Sequence, residues 1–174
     1  MHVATIILFT FLMCLVPQKI LIVGDSEACA MKFGAVKAVR TSEEKVDIDC
    51  VGGTRVGWWS NGRMKQALSK EKYDVVIVFL GTNDYGMKPD PSKVVQDITD
   101  SGAACVWVGP PLVRGKRSAT NEHLKANVSP CLYLDSQALG VPLADGVHPT
   151  GAGAVKWLKK AWQMKNELLK KDVP

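Results

Sequence analysis

Short apolar runs alternate with amphipathic segments along residues 19–171, and this alternation predicts the fold. Continuous apolar runs are typical of parallel strands that are buried on both faces. Five strands are predicted, at residues 19–23, 46–51, 74–80, 104–109 and 131–135, and residues 74–80 are the most hydrophobic of them. Helical segments are predicted at residues 27–39, 63–69, 91–100, 120–127 and 151–171. Because strands that alternate with helices imply right-handed crossovers, we predict an α/β domain, a three-layer αβα sandwich around a five-stranded parallel sheet.

Residues 1–17 form a hydrophobic leader ahead of a single domain at residues 18–174. The stretch Val3–Val16 has about the length of a signal-peptide core and is short for a membrane span. Its flanks fit neither function well, since no Lys or Arg precedes it and no small-x-small cleavage site follows it. Two alternatives stay open: export or membrane anchoring through the leader, and a buried extra strand or helix in a cytoplasmic protein.

The positive charge of the chain is concentrated near its C-terminus. The formal net charge is +5, but residues 151–174 hold six lysines against Glu167 and Asp172, which leaves +1 for the rest. No basic stripe interleaved with aromatic residues runs through the body of the sequence, as a nucleic-acid-binding surface would require. We therefore expect no nucleic-acid partner, and we expect the lysines to lie on the solvated face of the last helix.

The five cysteines are widely spaced and mostly lie within apolar runs. They are Cys14, Cys29, Cys50, Cys105 and Cys131. They form neither a Cys-x-x-Cys pair nor a Cys/His cluster, so the sequence supports no zinc site and no disulfide framework. We expect buried free thiols, with a single bridge as the alternative.

Chemically distinctive residues follow the predicted strands, where the carboxyl ends of a parallel sheet collect functional groups. A serine hydrolase needs a nucleophilic hydroxyl, a base, an acid that orients the base, and donors for the oxyanion. Ser26 follows the first strand at the mouth of a helix. His148 is the favoured base, since His2 lies in the leader and His123 lies in a charged helical stretch. Asp145 precedes His148 by three residues, a spacing that lets its carboxylate hold the imidazole across a turn.

Four short blocks in order resemble those of the SGNH (GDSL-type) esterase and lipase family. They are GDS at residues 24–26, a glycine after the second strand, GTND at 81–84 and DGVHP at 145–149. The resemblance covers residues 19–171 and implies a flavodoxin-like sheet with no metal and no cofactor. It also implies that Ser26 is the nucleophile, His148 the general base and Asp145 the orienting acid.

The same resemblance implies three donors for the oxyanion. These are the backbone N–H of Ser26, the backbone N–H of Gly53 and the side-chain amide of Asn83. Gly53 is preferred to Gly52 because the family's glycine usually precedes a short polar residue, here Thr54.

Five further residues lie within these blocks or close to them in sequence. Glu27 stands where the family often has an apolar residue, which alters either the packing of the helix or the charge of the site. Asp25 and Asp84 are expected to brace loops. Trp58 and Trp59 are expected either to line an acyl or sugar pocket or to belong to the core.

One glycine-containing motif resembles a phosphate-binding loop without matching it. In GPPLVRGK the spacing from Gly109 to Gly115 is one residue too long, and two prolines remove backbone donors. We therefore do not expect a nucleotide-binding loop here.

The favoured function is a serine esterase that hydrolyses acetyl or other short-chain esters, with acylated carbohydrates among the candidate substrates. The small domain with short loops makes a long-chain lipase a weaker hypothesis. An O-acyltransferase with the same triad is an alternative, and so is a non-catalytic carbohydrate-binding or structural module. Membrane association is expected only through the N-terminal segment, and the sequence does not indicate an oligomeric state.

Overall fold

A central parallel sheet organises the chain, and the computed structural model describes residues 17–171. The five strands are β1 (Gln18–Gly24), β2 (Glu44–Cys50), β3 (Val75–Phe79), β4 (Ala104–Val108) and β5 (Leu132–Leu134). They lie in the order β2-β1-β3-β4-β5, and every neighbouring pair is parallel. The predicted flavodoxin-like sheet is therefore confirmed.

Helices connect the strands and cover both faces of the sheet. They are α1 (Ser26–Ala30), α2 (Ala35–Val39), α3 (Val56–Trp58), α4 (Met64–Leu68), α5 (Ser92–Asp100), α6 (Ala119–Asn127), α7 (Ser136–Leu139) and α8 (Gly151–Lys171). A kinked turn, Trp59–Arg63, joins α3 to α4, and a 3₁₀ turn, Thr82–Asp84, follows β3.

The predicted helix at residues 27–39 is wrong in one respect, because the structure has two short helices there. The segment breaks at Gly34, whose φ of 100° lies in the left-handed region that glycine adopts without a steric penalty. The sequence prediction also missed α7, which is four residues long and carries no periodic apolar pattern.

Alternate residues of the strands face two separate cores. Leu21 and Val23 of β1 pack on the side that carries α3, α4, α5 and α6. Ile20 and Ile22 pack on the other side, against α1, α2 and α8. This arrangement confirms the three-layer sandwich, and it accounts for the continuous apolar runs of the strands.

Two disulfide bonds link neighbouring elements, and the prediction of free thiols is therefore wrong for four cysteines. Cys29 of α1 bonds to Cys50 at the end of β2, and Cys105 of β4 bonds to Cys131 just before β5. The Cα atoms of the two pairs are 5.4 and 4.7 Å apart. The two cysteines of each pair are 21 and 26 residues apart in sequence, and only the folded chain brings them together. The spacing alone therefore does not reveal either bond. Cys14 lies outside the described residues.

The predictions for the leader fall on residues 1–17, of which the structure describes only residue 17. Within the described part of the chain, no helix combines the length and the apolar character that crossing a bilayer requires.

Candidate active site

The turn between β1 and α1 presents Ser26 at the carboxyl edge of the sheet. Gly24 ends β1 with a φ of 150°, and a Cβ at this position would lie 2.0 Å from the carbonyl oxygen of Phe79. Only glycine therefore allows β1 to approach β3 so closely before the turn. Asp25 then caps α1 by accepting a hydrogen bond from the backbone N–H of Glu27, at 3.0 Å. Ser26 is the first residue of the helix and is half-buried.

The structure brings Ser26, His148 and Asp145 into one hydrogen-bonded chain. His148 Nε2 lies 3.1 Å from Ser26 Oγ, and His148 Nδ1 lies 2.7 Å from Asp145 Oδ2. Asp145 Oδ1 also accepts from the backbone N–H groups of Val147 and His148, at 2.9 and 2.7 Å. The bond from the His148 side chain, followed by these two backbone bonds, holds the pKa of Asp145 well below its ordinary value. Asp145 is thus an ionised acceptor that places the imidazole proton on Nδ1 and leaves Nε2 free to accept a proton from Ser26.

The three groups lie in an open site. The side chains of His148 and Asp145 retain 47% and 56% of their exposure. A substrate and a water molecule can therefore both reach Ser26 without a conformational opening.

The residues expected to bind the oxyanion surround Ser26. Among the described residues, no backbone carbonyl accepts the N–H of Ser26 or of Gly53. Gly53 has a left-handed φ of 75°, and a Cβ built on the preceding Gly52 would lie 4.0 Å from Ser26 Cβ. The turn at residues 52–53 therefore passes directly beside the serine.

Asn83 reaches the same place from the 3₁₀ turn after β3, but its amide is already engaged. Its Nδ2 donates to Asp25 Oδ2 and to the carbonyl oxygen of Thr54, each at 3.0 Å. Since the amide nitrogen has two hydrogens, an oxyanion would have to share or replace one of these acceptors.

The two aspartates expected to brace loops do so. Asp25 is fully buried and links the start of α1 to the Asn83 side chain, and its burial raises its pKa to about 7. Asp84 is also buried, and its Oδ2 accepts from the backbone N–H of Val56 at 3.1 Å. Both carboxyls hold the turns that carry the residues expected to bind the oxyanion.

The two adjacent tryptophans have different environments. Trp59 is fully buried in the core and its Nε1 donates to Thr54 Oγ1 at 3.0 Å, so its prediction as a pocket wall is wrong. Trp58 is 43% exposed. Its ring meets the edge of Trp59 at 5.6 Å between centroids, and the Arg63 guanidinium lies 5.8 Å from the ring centre. These contacts fix the orientation of Trp58 at the surface.

Trp58 lines an open groove of about 950 Å³ that begins at the turn beside Ser26. The groove runs from Gly52 and Gly53 between the loop at residues 54–61 and the loop at residues 84–93. Exposed Met87 adds a second apolar side chain, while Asn61 and Lys93 add polar groups. Such a mixture suits a ligand that has both an apolar face and hydrogen-bonding groups.

Glu27 is buried beside the site without a partner. Its side chain is 1% exposed, and neither carboxyl oxygen has a hydrogen-bond partner. Burial raises the pKa of Glu27 to about 9, with smaller contributions from the nearby Asp25 and Asp145 carboxylates. Glu27 is therefore uncharged near neutral pH, and its carboxyl is buried close to those of Asp25 and Asp145.

Sequence reasoning missed several supports of the site. Thr54 anchors the turn through its carbonyl bond to Asn83 and its hydroxyl bond to Trp59. The bond between Cys29 and Cys50 ties α1, which begins at Ser26, to the strand that leads into the turn at residues 52–53. The position of Thr54 directly after two glycines is a sequence signal that could have identified it as part of the turn. The disulfide depends on the order of the strands, so no local sequence pattern could have indicated it.

Comparisons with known proteins identify relatives in structure only. No protein-family model and no curated protein matches the sequence. The structure of TesA is 23% identical with a TM-score of 0.64, and the match covers 87% of this chain and 99% of that one. An inhibitor-bound aryl esterase of M. smegmatis is 14% identical with a TM-score of 0.69, over 87% of this chain and 99% of that one.

A catalytic mutant of an acetylxylan esterase from Geobacillus stearothermophilus is 17% identical, with a TM-score of 0.61 over 85% of this chain and 93% of that one. At these identities the likeness concerns the arrangement of strands and helices, over almost the whole of each matched chain. The chain has the fold of the SGNH-type hydrolases, as its four sequence blocks predict.

Proposed function

We propose that the protein is a serine esterase that hydrolyses small acyl esters through Ser26, His148 and Asp145. The observation that carries this proposal is the continuous chain from Asp145 Oδ2 to His148 Nδ1 and from His148 Nε2 to Ser26 Oγ, at 2.7 and 3.1 Å. These are the distances that proton transfer from serine to histidine requires. The esterases among the solved structures of the same fold support the reaction class.

The reaction takes place in two halves. Ser26 Oγ attacks the ester carbonyl while His148 Nε2 takes its proton, and the resulting oxyanion accepts hydrogen bonds from the N–H groups of Ser26 and Gly53 and from Asn83. The C–O bond to the alcohol then breaks, and His148 returns the proton to the leaving oxygen. A water molecule, deprotonated by His148, attacks the acyl-enzyme and releases the acid and free Ser26.

Short acyl groups, acetyl among them, are the proposed substrates, with acylated carbohydrate as a candidate class. The acetylxylan esterase of the same fold supports this choice. So does the exposed ring of Trp58 in the groove, since a flat aromatic face suits a sugar ring or an acyl group.

Replacement of Ser26 by Ala tests the proposal. We expect the variant to fold normally, to lose at least about 10³-fold in kcat/KM on a chromogenic acetyl ester, and to lose labelling by a fluorophosphonate. Turnover that persists in Ser26→Ala would contradict the triad. If the folded wild-type protein neither turns over esters nor reacts with the fluorophosphonate, the alternative of a non-catalytic binding module is favoured. Product analysis with an added sugar acceptor separates hydrolysis from acyl transfer.

A further inference from the structure

The loop at residues 112–118 packs directly against the loop that carries Asp145 and His148. Its Arg114 backbone N–H donates to the carbonyl oxygen of Gly146, at 2.6 Å. The Cγ atom of Arg114 lies 3.4 Å from the position that a Cβ on Gly146 would occupy. The arginine stem therefore lies over the glycine that separates the acid from the base.

The other end of the same loop contacts the segment that follows Asn83. The Tyr85 hydroxyl donates to the carbonyl oxygen of Arg117 at 3.1 Å, and the Gly86 N–H donates to Ser118 Oγ at 3.3 Å. The loop thus bridges the loop that carries His148 and the segment that follows Asn83.

The backbone of this loop is held in an unusual conformation. Within the described chain, Arg114 is the single non-glycine residue with a positive φ, at 50°. Such a conformation has a steric cost and persists only where surrounding contacts impose it. Here a tight two-residue turn between the paired Val113 and Lys116 accounts for it, with Arg114 and Gly115 at the two central positions, and the bond to Gly146 holds this turn against the loop of His148.

Three cations project from the loop without counter-charges. Arg114, Lys116 and Arg117 are exposed, and none forms an ion pair with a carboxylate of the described chain. Asp145, the acid on the adjacent loop, already accepts three hydrogen bonds from Val147 and His148. The loop therefore carries positive charge without a carboxylate partner, next to the loop that holds Asp145 and His148.

The chemistry of the triad decides which part of a substrate meets this loop. Because His148 protonates the leaving oxygen, the alcohol half of the ester must lie on the His148 side, where Arg114 is located. We propose that the loop binds an anionic group, a carboxylate, sulfate or phosphate, on the alcohol half of the substrate. This inference rests on the proposed esterase function and adds a charge requirement to it.

Two acetyl esters that differ in the charge of the alcohol test the proposal. Phenyl acetate is neutral and meta-carboxyphenyl acetate is anionic, and a pH-stat follows the hydrolysis of either. We expect the Lys116→Gln/Arg117→Gln variant to lower the ratio of kcat/KM for the anionic ester to that for the neutral ester about tenfold at low ionic strength. In the wild-type protein, added salt should reduce the same ratio. A ratio that neither the variant nor salt changes overturns the proposal.

Two controls separate local charge from net charge and from folding. Lys72 and Lys170 are exposed and lie toward the opposite edge of the sheet, so Lys72→Gln/Lys170→Gln removes the same charge away from the site. This control should leave the ratio of kcat/KM for the anionic ester to that for the neutral ester unaltered. An equal drop in the control would contradict an anion site at the loop of residues 112–118. At position 114, Arg114→Gln should lower the ratio, whereas Arg114→Lys should retain most of it.

A binding measurement tests whether the loop binds an anion, without relying on catalytic turnover. Calorimetry of the Ser26→Ala protein with meta-hydroxybenzoate, the anionic product alcohol, should show weaker binding once Lys116→Gln/Arg117→Gln is added. Equal binding in the two proteins overturns the anion site. If the wild-type protein hydrolyses neither ester, the proposed function fails, and this measurement still decides whether the loop binds an anion.

Discussion

Trp58 and Trp59 are adjacent in sequence, and the difference in their burial assigns them different functions. Trp59 is fully buried and supports Thr54, whereas Trp58 is 43% exposed in the groove. We expect Trp59→Ala to lower the free energy of unfolding by about 3–5 kcal/mol, as large-to-small substitutions in cores do. We expect Trp58→Ala to cost under about 1 kcal/mol and to raise KM for an acyl-sugar substrate several-fold. Urea unfolding and steady-state kinetics on the two variants measure both effects, and a reversed pattern would contradict this assignment.

Glu27 is a buried carboxyl whose pKa makes the stability of the protein depend on pH. The folded-state pKa is about 9 against an ordinary 4.5, so the folded state holds the proton over a range in which the unfolded state has lost it. The free energy of unfolding therefore falls as pH rises from about 4.5 to about 9. Asp25, with a pKa of about 7, contributes in the same direction only up to about that pH. The interval from pH 7 to pH 9 thus reports mainly on Glu27.

Substitution of Glu27 isolates this contribution. Glu27→Leu should raise the free energy of unfolding at neutral pH by about 1–3 kcal/mol, because it removes a buried polar group that has no hydrogen-bond partner. Glu27→Gln keeps a buried polar group but has no proton to lose in the unfolded state, so it should gain only the part of the stability that comes from proton linkage. Both variants should lose the fall between pH 7 and pH 9. Urea unfolding at these two pH values measures the difference. A wild-type stability that is flat over this interval would show that Glu27 is not the protonated group described here.

At the scale of elements, the Cys29–Cys50 bond connects α1, which begins at Ser26, to β2, the strand that leads into the turn at residues 52–53. The Cys105–Cys131 bond closes a segment of similar length near the amino ends of β4 and β5, away from the site. Removal of either bond by double Ser substitution should cost about 2–4 kcal/mol of stability. Only Cys29→Ser/Cys50→Ser should also lower kcat, since it alone frees Ser26 relative to Gly53. Equal kinetic losses in the two variants would show that the effect is one of general stability.

The elements that the sequence predicted are those whose pattern is local. The buried strands β1, β3 and β4 have continuous apolar runs, and α8 has the amphipathic periodicity of a long helix. The sequence located these elements, and the edge strands β2 and β5, to within two residues. Gly34 broke a helix that periodicity alone predicted as continuous. The contact between Arg114 and Gly146 joins two loops that are distant in sequence, and only the strand order brings them together. The proximity of Ser26, His148 and Asp145 was predictable because a resemblance to a family singled out these positions, whereas the contacts that support them depend on the tertiary structure.

At the scale of the whole molecule, the two disulfides indicate in which compartment the chain resides, and therefore what residues 1–17 do. Disulfides persist in oxidising compartments and are rare in the cytosol. Both bonds join buried or half-buried cysteines within the sheet region, as structural disulfides do. We therefore propose that the chain is exported and that residues 1–17 act as the export signal or the anchor.

The redox state of the whole protein tests this proposal. Iodoacetamide should modify at most one cysteine, Cys14, in the unreduced denatured chain and four more after reduction. Because each bond contributes about 2–4 kcal/mol, reductant should lower the Tm by roughly 10–20 °C for a domain of this size. Protein recovered from an oxidising compartment should show both properties, and deletion of residues 1–17 should keep the chain in the cytoplasm with its thiols free. Five reactive cysteines and an unchanged Tm in exported protein would contradict the role of the disulfides, while export of the deleted chain would contradict the role of the leader.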